Sequence, residues 1–145
     1  MEIRPYLDSD HDAVVRLWTD VFAYPQPRNA PEKVIRDKLS VQRDLFFVAI
    51  ANDILVGTVM GGYDGHRGWI YSLAVRVDFR ARGIGAALMN RVERELAARG
   101  CSKINLQVVG SNSSAVAFYK KLGYAVEDRI SMGKEPSTDS LPNAK

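Results

Sequence analysis

Trp69-Ile70-Tyr71-Ser72-Leu73-Ala74-Val75 is an apolar run, Arg80-Ala81-Arg82-Gly83-Ile84-Gly85 a basic turn with two glycines, and the residues onward to Gly100 an amphipathic segment. In that segment Ile84, Leu88, Val92 and Leu96 recur every four residues beside Ala87, while Arg91, Glu93, Arg94, Glu95 and Arg99 fall mostly elsewhere. This is the pattern of a helix with one apolar face, and Gly100 supplies its stop. The three parts read in order as strand, loop and helix.

A helix begins with backbone N–H groups that have no partner inside it, and its macrodipole places about half a positive charge at that end. An anion fits there. Glycine at 83 and 85 removes the Cβ atoms that would hold a diphosphate away from the backbone, and Arg80 and Arg82 add charge at the same place. Two other phosphate motifs are excluded. A P-loop needs Gly-Lys-Ser/Thr, which is absent, and a dinucleotide fingerprint needs a small residue where Leu88 stands and an acidic one near Val109.

Arg80, Gly83 and Gly85 match Gln/Arg-x-x-Gly-x-Gly/Ala after an apolar strand, and Asn112, Ala115, Phe118-Tyr119 and Gly123-Tyr124 follow at the matching distance. In these two ordered motifs the sequence resembles the GNAT family of N-acetyltransferases. The resemblance covers residues 45 to 133 well and the first 44 only by pattern. It implies a mixed α/β fold: a central, mostly antiparallel sheet with splayed parallel strands and helices on both faces. It also implies acetyl-CoA as cosubstrate, with Ala81, Arg82, Gly83, Ile84, Gly85 and Ala86 around the pyrophosphate and Arg80 alongside. The Gly-Gly-Tyr-Asp-Gly-His-Arg-Gly stretch at 61 to 68 is similar to that of an uncharacterised bacterial branch of the family.

A chain of 145 residues suits one domain with a core of ordinary size, here expected over residues 1–133 with a loose polar tail at 134–145. Apolar residues make up 46% and charged ones 26%, a globular composition. No apolar run approaches the ~20 residues that span a bilayer, and Met-Glu-Ile-Arg lacks a signal peptide's apolar core. A cytoplasmic protein with no membrane partner is expected. Cys101 is the single cysteine, so no intrachain disulfide is available. A net charge of +3, spread rather than blocked, suits a polyanionic cofactor, and no nucleic-acid partner is expected. His11 and His66 form no ligand cluster in sequence, so no metal is implied. Monomer and homodimer both remain open.

Along the chain, Ile3-Arg4-Pro5 predicts a first strand, and Ser9 or Asp10 a cap for a helix bearing Val14, Leu17, Trp18, Val21 and Phe22. Tyr24 to Ala30 breaks the pattern, and Pro31 lies in the first turn of a second helix carrying Val34, Ile35, Lys38 and Leu39. In the family this helix pair lines the acceptor pocket, and the Pro-rich connection is either part of it or a passive linker. Leu45 to Ala51, Asn52-Asp53 and Ile54 to Gly62 predict an antiparallel hairpin. The loop around Asp64, His66 and Arg67 is either an acceptor-side contact or a turn that needs glycine. Lys103 to Val109 alternates as a strand with Gln107 facing away from Ile104, Leu106 and Val108, Ser111 or Asn112 caps a last helix, and Tyr124 to Met132 predicts a last strand.

Acetyl transfer from a thioester to an amine needs a neutral nucleophile, a stabilised oxyanion and a proton for the thiolate. The resemblance assigns the backbone of Leu73, Ala74 and Val75 to the pantetheine arm and acetyl carbonyl, Asn112 to CoA and Tyr119 to the departing sulfur. A tyrosine near pKa ~10 would protonate a thiolate near ~8.5 uphill by roughly 2 kcal/mol, so Tyr119 can serve as a hydrogen-bond donor instead. The related ribosomal-protein alanine acetyltransferases carry a glutamate where Gln107 stands, and an amide cannot take a proton. At about pH 7.4 a lysine acceptor would cost about 4 kcal/mol to deprotonate and an α-amine roughly 0.5. An easily neutralised amine, or a base elsewhere such as Asp64, His66 or Asp20, is therefore expected. The rival from another class is an acyl-CoA sensor without turnover.

Overall fold

The computed structural model describes residues 1–22 and 27–137. Tyr24, Pro25 and Gln26 of the Pro-rich connection, and residues 138–145 of the expected tail, lie outside the described residues. The chain divides into two compact units, Met1–Gln107 and the residues from Val108 on.

The first unit holds a five-stranded sheet in sequential order: β1 (Glu2–Pro5), β2 (Phe46–Ala51), β3 (Ile54–Tyr63), β4 (Gly68–Val75) and β5 (Ile104–Asn105). The first four strands are antiparallel and β5 runs parallel to β4. Helices α1 (His11–Val21) and α2 (Pro31–Leu39) precede β2, and α3 (Ile84–Ala98) joins β4 to β5. The β2–β3 hairpin turns at Asn52 and Asp53, both at positive φ (52° and 62°), the conformation that a two-residue turn between twisted strands requires.

One apolar core joins α1 and α2 to the sheet through Val14, Leu17, Trp18, Ile35, Phe46, Val48, Met60 and Ala74. Tyr6 stacks on Phe46 with ring centroids 4.4 Å apart. On the opposite face α3 buries Ile84, Leu88, Met89, Val92 and Leu96. Its approach depends on strand glycines: a Cβ at Gly61 would lie 2.7 Å from Val92 Cγ2, and one at Gly68 3.3 Å from Leu96 Cδ1 and 2.8 Å from Cys101 Sγ just past the helix. Gly61 and Gly68 thus belong to β3 and β4 rather than to a turn, and within 61–68 only Gly65 takes a positive φ, +94°.

Strand β4 carries a bulge. Met60 faces Tyr71 and Thr58 faces Ala74, so Ser72 and Leu73 together oppose Val59, and Ser72 adopts φ 53°. The β4–β5 ladder comprises Gly68 with Ile104 and Trp69 with Asn105, and no further pairing of these strands follows. The strand expected over 103–109 is therefore shorter, formed only at Ile104 and Asn105.

The second unit contains α4 (Ser113–Lys121), closed by Gly123 at φ +96°. The strand expected over Tyr124–Met132 is not formed. Val126, Ile130 and Met132 are 76%, 90% and 91% exposed, so these apolar side chains are not packed as one buried strand face. Asp10 is the N-cap of α1, one of the two residues expected there, but its side chain makes no bond to the helix. A short 3-10 turn over Asp8–Asp10 leads into α1, and the Asp10 carboxylate turns back to accept from Leu7 N (2.8 Å) and from both Arg4 Nη atoms (2.8 and 3.0 Å).

Candidate active site

The loop between β4 and α3 is shaped by two left-handed residues, Ala81 at φ 62° and Gly83 at φ 81°. Alternation of this kind turns successive N–H groups inward and makes an anion-binding concavity. Gly83 is the N-cap of α3, no side chain caps the helix, and no acidic residue stands in its first turn. The amides of Ile84, Gly85 and Ala86 thus begin a helix of 15 residues whose dipole favours an anion at this end. A Cβ at Gly83 would meet nothing within 4 Å, so glycine is required there by its φ and leaves open space beside the backbone.

Three arginines surround the loop, each held differently. The Arg82 guanidinium lies over the Phe79 ring at 4.8 Å from its centroid, and Arg76 lies 5.5 Å from the same ring. Arg76 also pairs with Asp78 at 2.9 Å, which offsets part of its charge. Arg80 Nε donates to Val75 O at 3.2 Å. Phe79 is buried and serves as a platform for cationic stacking. Its part was missed in sequence, where it looks like any core aromatic; the signal was its position between Arg76, Arg80 and Arg82.

Leu73 is the second residue of the bulge and Ala74 and Val75 follow it, all three beyond the end of the β4–β5 ladder. Gln107 is exposed, past the end of β5.

In the second unit Asn112 caps α4, its Oδ1 accepting from Ala115 N and from Ser114 Oγ, both at 3.1 Å. Tyr119 is half-buried and meets Phe118 and Tyr124 edge to face, with ring centroids 5.1 and 5.8 Å away. Burial pushes its phenol pKa up, which makes full proton transfer from it more uphill and leaves its O–H as a donor.

Asp64 Oδ1 accepts from His66 N (2.7 Å) and Arg67 N (2.8 Å), the geometry of an Asx turn. These backbone bonds hold its carboxyl below the usual range and weaken it as a base. His66 is exposed beside it. Asp20 lies elsewhere in the first unit, with His11, Asp12, Val15, Arg16, Thr19 and Glu32 along an open groove of about 380 Å³. No residue of the glycine loop or of β4 lines that groove.

Lys38, on α2 with Val34, Ile35 and Leu39, is buried, 8% exposed. Its Nζ donates to Gly61 O, where β3 extends past the start of β2. Burial pulls its pKa down to about 8 against the opposing pull of Asp44. Gln42 completes the same edge, accepting from Tyr63 N (2.9 Å) and donating to Tyr63 O (2.8 Å) as a strand backbone would.

The chain is similar to known proteins in sequence and in fold. The profile of the acetyltransferase (GNAT) family matches residues 11–124. An acetyltransferase of Pectobacterium atrosepticum is 48% identical over 134 residues, covering 92% of this chain and 94% of its own. One of Yersinia enterocolitica is 45% identical over 139 residues, covering 96% and 98%. Among solved structures, Ard1 from Thermoplasma volcanium is 26% identical with a TM-score of 0.77, covering 87% of this chain and 83% of its own. The PaiA N-acetyltransferase of Thermoplasma acidophilum, solved in complex with coenzyme A, covers 89% and 92% with a TM-score of 0.74; at 22% identity the likeness is one of fold.

Proposed function

This chain belongs to the GNAT family of acetyltransferases and is itself an N-acetyltransferase, and we propose that it moves the acetyl group of acetyl-CoA to a primary amine by direct attack in a ternary complex. The acceptor class is a small-molecule amine or the N-terminus of a peptide or protein. The observation that carries this is the loop from Arg80 to Ala86: two left-handed residues and an uncapped, acid-free helix start, flanked by stacked and exposed arginines.

In this reading the amides of the loop and of the first turn of α3 hold the pyrophosphate, with Arg80 and Arg82 adding charge. The backbone of Leu73, Ala74 and Val75 receives the pantetheine arm and supports the acetyl carbonyl as the oxyanion forms. Asn112 contacts CoA through its amide N–H₂ while its oxygen caps α4. Tyr119 donates a hydrogen bond to the departing sulfur. No carboxylate stands at Gln107, so the acceptor is one that loses its proton near neutrality, and an α-amine satisfies this at roughly 0.5 kcal/mol. Residues 1–133 act as one catalytic domain, as monomer or homodimer, without metal.

The test is release of free CoA thiol from acetyl-CoA in the presence of α-amines, polyamines and lysine side chains, with the acetylated product identified by mass. Release that depends on an amine, fastest with acceptors of low pKa, supports the proposal. Binding of acetyl-CoA without release across acceptors would return the sensor reading, which the relatives named as acetyltransferases do not favour.

A further inference from the structure

Thr58 is 0% exposed and lies on the face of β3 that packs against α1, among apolar side chains. A buried hydroxyl in such a place costs stability unless both its roles are used, and both are. Thr58 Oγ1 accepts from Trp18 Nε1 at 2.8 Å and donates to Ser72 O at 2.9 Å. The indole N–H can only donate, so it orients the hydroxyl proton toward Ser72. The relay has one direction, from α1 through β3 to β4.

Its end point is the bulge. Ser72 is a non-glycine residue in the left-handed region, a conformation that persists only where its surroundings hold it. Thr58 also faces Ala74 directly across the β3–β4 ladder. One buried side chain thereby holds the carbonyl of the strained residue and lies opposite the backbone that follows it.

We propose that Trp18 and Thr58 are positioning residues for acyl transfer: together they hold the β4 bulge and so aim the backbone of Leu73 and Ala74 at the acetyl carbonyl. This rests on the acetyl-CoA reading given above. A backbone donor acts on a developing oxyanion only when aimed correctly, and a displacement near 1 Å can cost about 10²-fold in rate. The relay affects the chemical step more than the affinity for CoA, whose pyrophosphate is held at the separate glycine loop.

The test compares wild type with Thr58→Val, which keeps the volume and removes both hydrogen bonds, Thr58→Ser, which keeps the hydroxyl, and Trp18→Phe. Calorimetric titration gives the Kd for acetyl-CoA, steady-state thiol release gives kcat and KM, and the assay temperature is kept well below each variant's Tm. The expected result is a kcat loss of roughly 10- to 100-fold in Thr58→Val with Kd within about threefold, and recovery of most of kcat in Thr58→Ser. Folded Thr58→Val with wild-type kcat overturns the positioning role while leaving the acetyl-CoA reading intact. If Thr58→Val does not fold, Trp18→Phe decides: a reduced kcat at unchanged Kd supports the relay, and an unchanged kcat overturns it. Wild type that binds acetyl-CoA yet transfers to no amine overturns the transfer reading and this role with it.

Discussion

Replacing Lys38 with methionine should change how stability depends on pH. The native ammonium is buried against Gly61 O with its pKa pulled down to about 8, against 10.5 for the free side chain. Between those values the unfolded chain holds a proton that the folded chain has lost, so stability rises with pH through this window; below about 8 both states are protonated and the dependence vanishes. From about pH 7.5 to 9.5 two such values give about 2 kcal/mol, and solvent reaching the ammonium reduces this to about 1–2 kcal/mol. At roughly 0.3 kcal/mol/K of unfolding entropy for a chain of this size, that is a Tm rise of about 3–6 °C.

The measurement is urea unfolding of wild type and Lys38→Met across that range, followed by circular dichroism. Methionine leaves Gly61 O without its donor at every pH, so the variant's absolute stability can move either way while the slope isolates the titration. Tyr6, Tyr71 and Tyr119 have raised pKa values that would lower stability at still higher pH, and the shared window stays below them. A wild-type curve that runs parallel to that of Lys38→Met between pH 7.5 and 9.5 would refute the placement of a strained ammonium at this edge.

Gly61→Ala puts a methyl group 2.7 Å from Val92 Cγ2 beneath α3, and overpacking of that kind should cost about 1–3 kcal/mol in chemical denaturation. Tyr119→Phe removes the O–H proposed to donate to the departing sulfur: kcat should fall roughly 10- to 100-fold while the Kd for acetyl-CoA, measured by titration, stays within about twofold. Gln107→Glu supplies the carboxylate that related enzymes carry, and lysine-type acceptors should gain more in kcat/KM than α-amines do, because only they face the larger deprotonation cost.

The strand, loop and helix from Trp69 to Gly100 were legible because each signal is local. A four-residue apolar period, glycine at a left-handed helix start and glycine at its stop all act within a few residues. The hairpin at Asn52-Asp53 was legible for the same reason. What escaped the sequence depends on distant partners. Val126, Ile130 and Met132 have strand-like composition, but a strand exists only with a ladder, which no local pattern supplies. Lys38 sat among apolar positions with nothing to mark Gly61 O as its partner 23 residues on. Thr58 reads as an ordinary β-former, and its role emerges only when Trp18, 40 residues earlier, is brought against it. The glycine loop and the Asn112 helix cap were recognisable by motif, whereas the Ser72 bulge and the Phe79 platform arise from pairing and packing.

The central claim is that the glycine loop holds the pyrophosphate of acetyl-CoA, and calorimetric titration of wild type and Gly83→Glu tests it most directly. Glutamate places a carboxylate at the anion site and a side chain at φ +81°, with open space that lets the fold survive. Saturable binding to wild type, weakened at least roughly 100-fold in a variant whose circular dichroism is unchanged, is the predicted result. Equal affinity in both proteins, or no binding to folded wild type, would contradict it.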